Sequence, residues 1–374
     1  MATQFTQAFT EKTGEDAARE LSMRIKTICG SNVKYLLVFF TAHNHPITLM
    51  QSLKRTINPK SLWGVEAPLL IYEDKVAAKG VLAIAINSDE VVLKPIFNKS
   101  DAWDSVESVF RKELKDFAGE KSFLFSSLPV GANFANYRRG VGMAIGKNTN
   151  AIGAGYMKRF AQKQYVIMDD KVDEGTFSLV GKNMQLETVR MGGFVPLGKP
   201  FTITKSLPDH SMVIEINNRP ATEMYKFYFE DKFETFKKHR YFPFYPIGIH
   251  EGGKIRLVSV VDALKDGSLV CLGSIKEGSR GNFTILHQPS LFQSLKARLE
   301  PIRKRGEGFV FMINSLMRKK ILMDSYSEEI HAIKTHLGDK FKISGIYADY
   351  TIYPDKQLME IGMETGNLLV SLWG

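Results

Sequence analysis

The chain has 374 residues, and its 50 Lys and Arg against 40 Asp and Glu give a formal charge of +10. A hydrophobic fraction of 44% with 11% aromatic residues is typical of a globular protein and excludes wholesale disorder and fibrous repeats. Its two cysteines, Cys29 and Cys271, are too few for a disulfide framework, which favours a reducing compartment. Apolar runs such as 35–40 fall far short of the roughly 20 residues that span a bilayer, and the N-terminus lacks a secretory signal. We therefore expect a cytoplasmic protein with no membrane insertion.

The first third of the chain predicts alternating helices and strands. Thr13-Gly14-Glu15-Asp16 has the spacing of a capping box, and apolar residues at helical spacing follow it. The continuous apolar run Lys34 to Phe40 is typical of a strand that is buried on both faces. Pro46 begins a second predicted helix, short β segments cover 61–87, and a third helix is predicted over about 101–117.

The pattern from Phe123 to Ile216 predicts strands separated by glycines, and an aromatic helix follows over 220–233. The glycine-rich stretches 138–146 and 153–155 are interpreted as bends in β structure, with close approach of a ligand as the alternative. A shift to charged and then aromatic residues places a domain boundary between 236 and 237, which divides the chain into modules 1–236 and 237–374. The irregular alternation predicts an α+β fold with two modules of mixed, mainly antiparallel sheets flanked by helices, stacked as α/β/β/α layers.

The usual catalytic and binding motifs are missing from the sequence. No nucleophile elbow is present, and Cys271 lies in an apolar segment that favours a buried thiol. His43 and His45 supply two ligands where a metal site needs more, and no phosphate loop follows the glycines. The basic residues form short scattered clusters without a nucleic-acid recognition pattern, so a nucleic-acid partner is not expected. These searches predict that the chain is not an enzyme and has neither a metal nor a cofactor.

Several segments in order resemble the FIST family, as an N-terminal module followed by a C-terminal module. In the first half these are Leu36 to Thr41, Leu62 to Val65, Lys79 to Ala85, Gly153 to Gly155, Phe194 to Thr204 and Ile216 to Ala221. In the second half they are Phe244 to Ile249, Ile255 to Val258, Asp266 to Leu269 and Ile275 to Ser279. The resemblance implies an intracellular sensory protein that binds a small molecule such as an amino acid.

Two departures from the family pattern bear on that ligand. Asp349 followed by Tyr350 replaces the Gly-Glu pair that family members usually carry, and Asn314 stands where they have a cysteine. Arg318 occupies the position at which the resemblance implies an arginine. These changes predict an altered ligand site.

A site for an amino acid or small carboxylate needs a cation and a few hydrogen-bonding groups. Arg256 lies among apolar residues, so it points either inward, to hold a carboxylate, or outward, to solvent or an acid such as Asp262. Glu277, beside Gly278, is a candidate acceptor for an ammonium group or an ordinary turn residue. Arg190 is a third candidate, again with surface exposure as the alternative. The predicted ligand-binding residues are therefore Arg256, Glu277, Arg190 and Arg318.

The first functional hypothesis is a stand-alone sensory protein that binds a small metabolite in a cavity between its modules and signals through a separate partner protein. The alternative is a non-catalytic interaction scaffold with a degenerate pocket, whose exposed aromatics would be Tyr241 to Tyr245. A third hypothesis, a hydrolase, requires a nucleophile and a base in one cleft.

Overall fold

The computed structural model describes residues 3–100, 102–117, 122–129, 132–145, 150–156, 164–208, 211–355, 360–364 and 366–374. Within these residues the strands form four sheets. Three of the sheets are built by one repeated order of elements: strand, helix, strand, helix, strand, hairpin, strand. The sequence analysis did not detect this repeat.

The first unit spans residues 4–87. Its elements are β1 (Gln4–Thr10), α1 (Gly14–Cys29), β2 (Tyr35–Phe40), α2 (Pro46–Thr56), β3 (Ser61–Glu66), the hairpin β4 (Leu70–Tyr72) and β5 (Lys75–Ala77), and β6 (Val81–Asn87). The predicted first two helices and the buried strand are confirmed here, although the Thr13 side chain makes no cap hydrogen bond.

The second unit spans residues 92–182 and repeats the order. Its elements are β7 (Val92–Asn98), α3 (Trp103–Leu114), β8 (Phe123–Leu128), α4 (Phe134–Ile145), β9 (Asn150–Gly155), the hairpin β10 (Tyr165–Met168) and β11 (Lys171–Glu174), and β12 (Thr176–Lys182). The interpretation of 138–146 as bends in β structure is wrong for 138–145, which lie in α4, and residue 146 lies outside the described residues. Position 140 requires glycine, because a side chain there would collide with the backbone of α3.

The third unit is interrupted after its first strand, β13 (Leu186–Met191), by a lobe that spans residues 194–286. The lobe contains β14 (Phe194–Leu207), β15 (Met212–Ile216), β16 (Arg219–Pro220), α5 (Thr222–Phe229), α6 (Phe233–Lys238), β17 (Ile247–Glu251), β18 (Lys254–Ala263), β19 (Leu269–Leu272) and β20 (Arg280–Leu286). The unit then resumes with α7 (Gln288–Arg303), β21 (Gly308–Ser315), α8 (Leu316–Leu322), α9 (Tyr326–Leu337), β22 (Phe341–Ala348), the hairpin β23 (Tyr350–Asp355) and β24 (Glu360–Glu364), and β25 (Leu368–Trp373).

Each unit gives its hairpin to the sheet of another unit. Sheet 1 has the order β1-β6-β2-β3-β10-β11, sheet 2 β7-β12-β8-β9-β23-β24, and sheet 3 β13-β25-β21-β22-β4-β5. In all three, a central parallel pair (β2/β3, β8/β9 or β21/β22) is surrounded by antiparallel neighbours. The three units, here called the body, are therefore interlocked by a cyclic exchange of hairpins.

The main core lies where the three sheets face one another. Phe39 of sheet 1, Phe125 of sheet 2 and Phe311 of sheet 3 contact one another, with ring centroids 5.0 to 6.0 Å apart. Helices cover the outer faces: α1 and α2 on sheet 1, α3 and α4 on sheet 2, and α7 and α9 on sheet 3. Because both faces of the central strands are buried, they consist of continuous apolar runs rather than alternating ones.

The predicted α+β class with mixed, mostly antiparallel sheets is confirmed. The lobe has its own core and its own sheet, ordered β14-β20-β17-β18-β19-β15-β16. The predicted boundary at 236/237 falls inside α6 of this lobe, and as a division of the sequence it stays a prediction. No described helix is long and apolar enough to cross a bilayer.

Candidate functional site

The candidate site lies where the lobe meets the body, and it is built around Glu364 at the end of β24. This side chain is 2% exposed. Its Oε1 accepts hydrogen bonds from Arg190 Nη1 and Tyr353 Oη, each at 3.0 Å, and Asn367 Nδ2 donates to its Oε2. The backbone N–H of Leu257, in the lobe strand β18, also donates to this carboxyl. Glu364 therefore connects sheet 2, sheet 3 and the lobe.

Arg190 forms the more open side of the site. It lies on the edge strand β13, its side chain is 36% exposed, and its guanidinium carbon is 4.6 Å from the centroid of the Tyr353 ring. A guanidinium over an aromatic face gains a cation–π attraction while its edge stays able to donate hydrogen bonds. The structure thus places a half-exposed cation against a buried acid and an aromatic wall.

Arg256 approaches the same site from the lobe. Its Nε and Nη2 each lie 2.9 Å from a carboxylate oxygen of Glu251, and Nη2 lies 3.1 Å from the Ser274 carbonyl oxygen. Hydrogen bonds to Glu251, together with its charge and the charges of Tyr353 and Glu364, raise the pKa of Arg256 against the effect of burial. Of the two orientations expected from the sequence, Arg256 takes neither in full, because it is half-buried and pairs with Glu251 instead of Asp262.

Burial is also the main influence on Glu364. It raises the pKa of this carboxyl above its ordinary value, although Arg190, Asn367, Tyr353 and the Leu257 N–H favour the charged form. The Glu364 carboxyl therefore has four hydrogen-bond donors, one of which is Arg190, and Arg256 lies close enough to interact with its charge. The sequence analysis missed Glu364 and Tyr353, and only their pairing with Arg190 could have identified them.

The other two predicted ligand residues make contacts of a different kind. Arg318 is fully buried; it donates to the Glu329 carboxylate and to the carbonyl oxygens of Gly192 and Gly366. Glu277 is exposed in the lobe, where its Oε1 accepts a hydrogen bond of 3.1 Å from the Ser206 N–H. The described contacts do not bring either residue to Glu364. A ligand-binding role for any of the four predicted residues stays a prediction.

The aromatic segment on which the scaffold hypothesis rested is mostly interior. Phe242 is fully buried in the lobe core, and the Tyr245 carbonyl oxygen accepts a hydrogen bond of 2.8 Å from Tyr225 Oη. Tyr241, at 42% exposed, is the large exposed hydrophobic side chain of the segment. The exposed aromatic surface that the scaffold hypothesis expects there is therefore much smaller than predicted.

A second concave surface lies on sheet 3, between the β4–β5 turn and α9, with a volume of about 680 Å³. Several of its charged groups are paired with one another: Lys334 Nζ lies 2.6 Å from Glu73 Oε2, and His331 Nδ1 lies 3.3 Å from Asp74 Oδ2. Across the described part of the chain, no three His, Cys, Asp or Glu side chains are grouped to hold a metal ion. The thiol of Cys271 is buried, which raises its pKa to about 12.

Family models match the chain in two consecutive segments, the FIST N domain over residues 34–219 and the FIST C domain over residues 221–349. The chain belongs to the FIST family. The predicted membership is thus confirmed, and FIST domains are sensory ligand-binding modules. No curated protein matches the chain.

The solved structures that resemble this FIST protein include cyanuric acid hydrolases. One, from A. caulinodans, matches with a TM-score of 0.38 and 8% identity over 99% of each chain. Another, described as an evolutionary innovation by structural concatenation, has a TM-score of 0.30 and 8% identity over 51% of this chain and 72% of the other. The prediction that the chain is not an enzyme is contradicted by these matches, because the matching structures are those of an enzyme. Their TM-scores are too low to carry that activity over to this chain.

Proposed function

We propose that this FIST protein is a sensory protein that binds a small metabolite with a carboxylate, such as an amino acid, at the junction of lobe and body. The observation that carries the proposal is that Arg190 of the body and Arg256 of the lobe both lie close enough to interact with the buried Glu364. Two arginines suit a carboxylate, which accepts paired, charge-assisted hydrogen bonds from guanidinium groups. Glu364 and Glu251 are candidate acceptors for the ammonium group of an amino acid.

The junction also supports a route from binding to signalling. The two arginines belong to separately packed parts of the chain, since the lobe has its own core. A ligand that contacts both favours the arrangement of lobe and body in which both contacts are made. A separate partner protein that recognises this arrangement would read the ligand-bound state.

Calorimetric titration with the L-amino acids and small dicarboxylates tests this proposal. We expect at least one to bind, and Arg190→Gln to weaken that binding roughly tenfold or more, since hydrogen bonds between charged groups contribute about 1.5–3 kcal/mol. Arg305→Gln is the matched control, because it removes an arginine from an exposed pair with Glu187 at 3.0 Å. The proposal fails if none of the compounds binds, or if both variants bind like the original protein.

A further inference from the structure

The carboxyl ends of the central strands of the three units meet at one end of the body, and the repeat allows equivalent positions there to be compared. Phe39, Ser127 and Ile313 are equivalent, because each lies opposite the second residue of the closing strand of its unit, namely Leu82, Phe177 and Leu369. Two units carry a large apolar side chain at this position. The second unit carries a serine.

The neighbouring strand shows the same substitution pattern. In the parallel strand beside it, the partners of Phe39, Ser127 and Ile313 are Val65, Ala154 and Ile346. Two residues after these partners come Ala67, Tyr156 and Ala348, which are therefore equivalent to one another. Again two units carry a small apolar residue, whereas the second carries a tyrosine. The requirements of folding, which the other two units satisfy with a small apolar residue at this position, do not explain the Tyr156 hydroxyl group.

Gln164, at the start of the second unit's hairpin, completes the cluster. Its Nε2 donates to the Glu66 carbonyl oxygen at 3.0 Å and to Ser127 Oγ at 3.3 Å. A backbone donor, the Tyr165 N–H, lies 3.1 Å from Glu66 Oε2. The two bonds from Nε2 fix the orientation of the Gln164 amide, so its Oε1 is the acceptor that remains.

Two buried polar atoms of this cluster lack a hydrogen-bond partner among the described residues, namely Tyr156 Oη and Gln164 Oε1. Tyr156 is 7% exposed and Gln164 is 8% exposed. Burial, with the nearby charges of Asp349 and Glu66, raises the pKa of Tyr156, so its hydroxyl stays protonated and can donate. Leaving a buried donor and a buried acceptor unsatisfied is costly, and such groups in a native protein require an explanation.

We propose that this end of the body is a second ligand site, which takes a small neutral molecule with an N–H beside a C=O, such as an amide or lactam. The Tyr156 hydroxyl would donate to its carbonyl oxygen, and Gln164 Oε1 would accept from its N–H, while Ser127 supplies a further hydroxyl. The carboxyl groups of Glu66 and Asp349 disfavour an anion. The ligand expected here is neutral, whereas the ligand proposed for the arginine-lined junction carries a carboxylate. In open α/β sheets, ligands commonly bind outside the carboxyl ends of the strands.

Binding of 2-pyrrolidone, followed by saturation-transfer NMR and by calorimetry, tests this site on the full chain. We expect cyclopentanone, which lacks the N–H, to bind more weakly by roughly threefold or more. Tyr156→Phe should weaken 2-pyrrolidone binding roughly three- to tenfold, the effect of one neutral hydrogen bond. Tyr225→Phe is the matched control, because it removes a buried hydroxyl in the lobe core.

The thermal midpoints of the two variants separate binding from folding. Tyr156→Phe removes an unsatisfied hydroxyl and should leave the midpoint unchanged or higher, whereas Tyr225→Phe removes a hydrogen-bonded one and should lower it. The proposal is overturned if 2-pyrrolidone does not bind, which would mean that the cluster holds only water. It is equally overturned if both Tyr→Phe variants bind 2-pyrrolidone like the original protein.

Discussion

Arg318 shows how a single residue can match a family position and yet serve the interior. With 0% of its side chain exposed, it pairs with Glu329 and bridges the end of β13, the loop before β25 and helix α9. Asn314, the residue that replaces the family's cysteine, donates to Glu329 Oε2 at 3.3 Å in the same network. A buried charge is tolerated here because acceptors surround the whole guanidinium.

Removing one member of this pair should be more damaging than removing both. We expect Arg318→Met to lower the free energy of unfolding by about 3–5 kcal/mol, because Glu329 would be left as an uncompensated buried charge. The double variant Arg318→Met/Glu329→Leu should recover part of this loss. Urea denaturation measures both, and a single variant within about 1 kcal/mol of the original protein would show that the pair is not structurally important.

At the scale of elements, the three units share a glycine–isoleucine pairing between the central sheet and the donated hairpin. Gly64 lies opposite Ile167, Gly153 opposite Ile352, and Gly345 opposite Ile71. At Gly64 and Gly153 the isoleucine side chain of the hairpin packs where the central strand has no side chain. This pairing explains how each hairpin finds its register in another unit's sheet.

Alanine at two of these glycines should have different consequences, because the atoms that a new Cβ meets differ. At Gly64 it would lie 3.1 Å from both Cβ and Cδ1 of Ile167, whereas at Gly153 it would collide with the Ser126 carbonyl oxygen. We expect Gly64→Ala to cost about 1 kcal/mol and Gly153→Ala about 3 kcal/mol in urea denaturation, within the range for overpacked cores.

Second-site changes distinguish the two collisions. Ile167→Val shortens the opposing side chain and should restore part of the stability of Gly64→Ala. Ile352→Val should not restore the stability of Gly153→Ala, since the collision there is with the Ser126 backbone oxygen, which a change of the Ile352 side chain does not remove. Equal rescue in the two pairs would contradict the assignment of the Gly153 collision to the backbone.

At the scale of the whole molecule, the lobe is an insertion into the third unit. Its ends are adjacent, because Phe194 pairs with Leu286 and the His287 N–H donates to the Gly193 carbonyl oxygen at 2.8 Å. Its core of aromatic residues, which includes Tyr225, is separate from the cores of the body. Insertions with adjacent ends are tolerated because the host chain barely changes its path.

Replacing residues 194–286 with two glycines should therefore leave a folded body. All three tryptophans, Trp63, Trp103 and Trp373, belong to the body, so their fluorescence during denaturation reports on it alone. We expect one cooperative transition at a lower midpoint, since Glu364 loses its contact with the Leu257 N–H. A shortened chain without any cooperative transition would show that the body depends on the lobe for folding.

Features that depend on interactions between residues close together in the sequence could be predicted, whereas features that depend on distant residues could not. The elements α1, β2, α2 and α3 could be predicted because their signals, such as the apolar run Tyr35–Phe40, are local. Helix α4 was missed because its glycines weaken the local signal, and their reason, the close approach of α3, is tertiary. The site followed the same rule: Arg190 and Arg256 were candidates as isolated cations, but Glu364, which accepts a hydrogen bond from Arg190, is 174 positions away from it along the chain.

The sequence by itself determined the family, the α+β class and most of the local elements, because each depends on residues that are near one another along the chain. Only the tertiary structure decided that hairpins are exchanged among three units, that a lobe interrupts the third, and that Glu364 collects donors from both parts. Those features depend on pairings between distant strands, and a buried strand looks the same in sequence whichever sheet receives it.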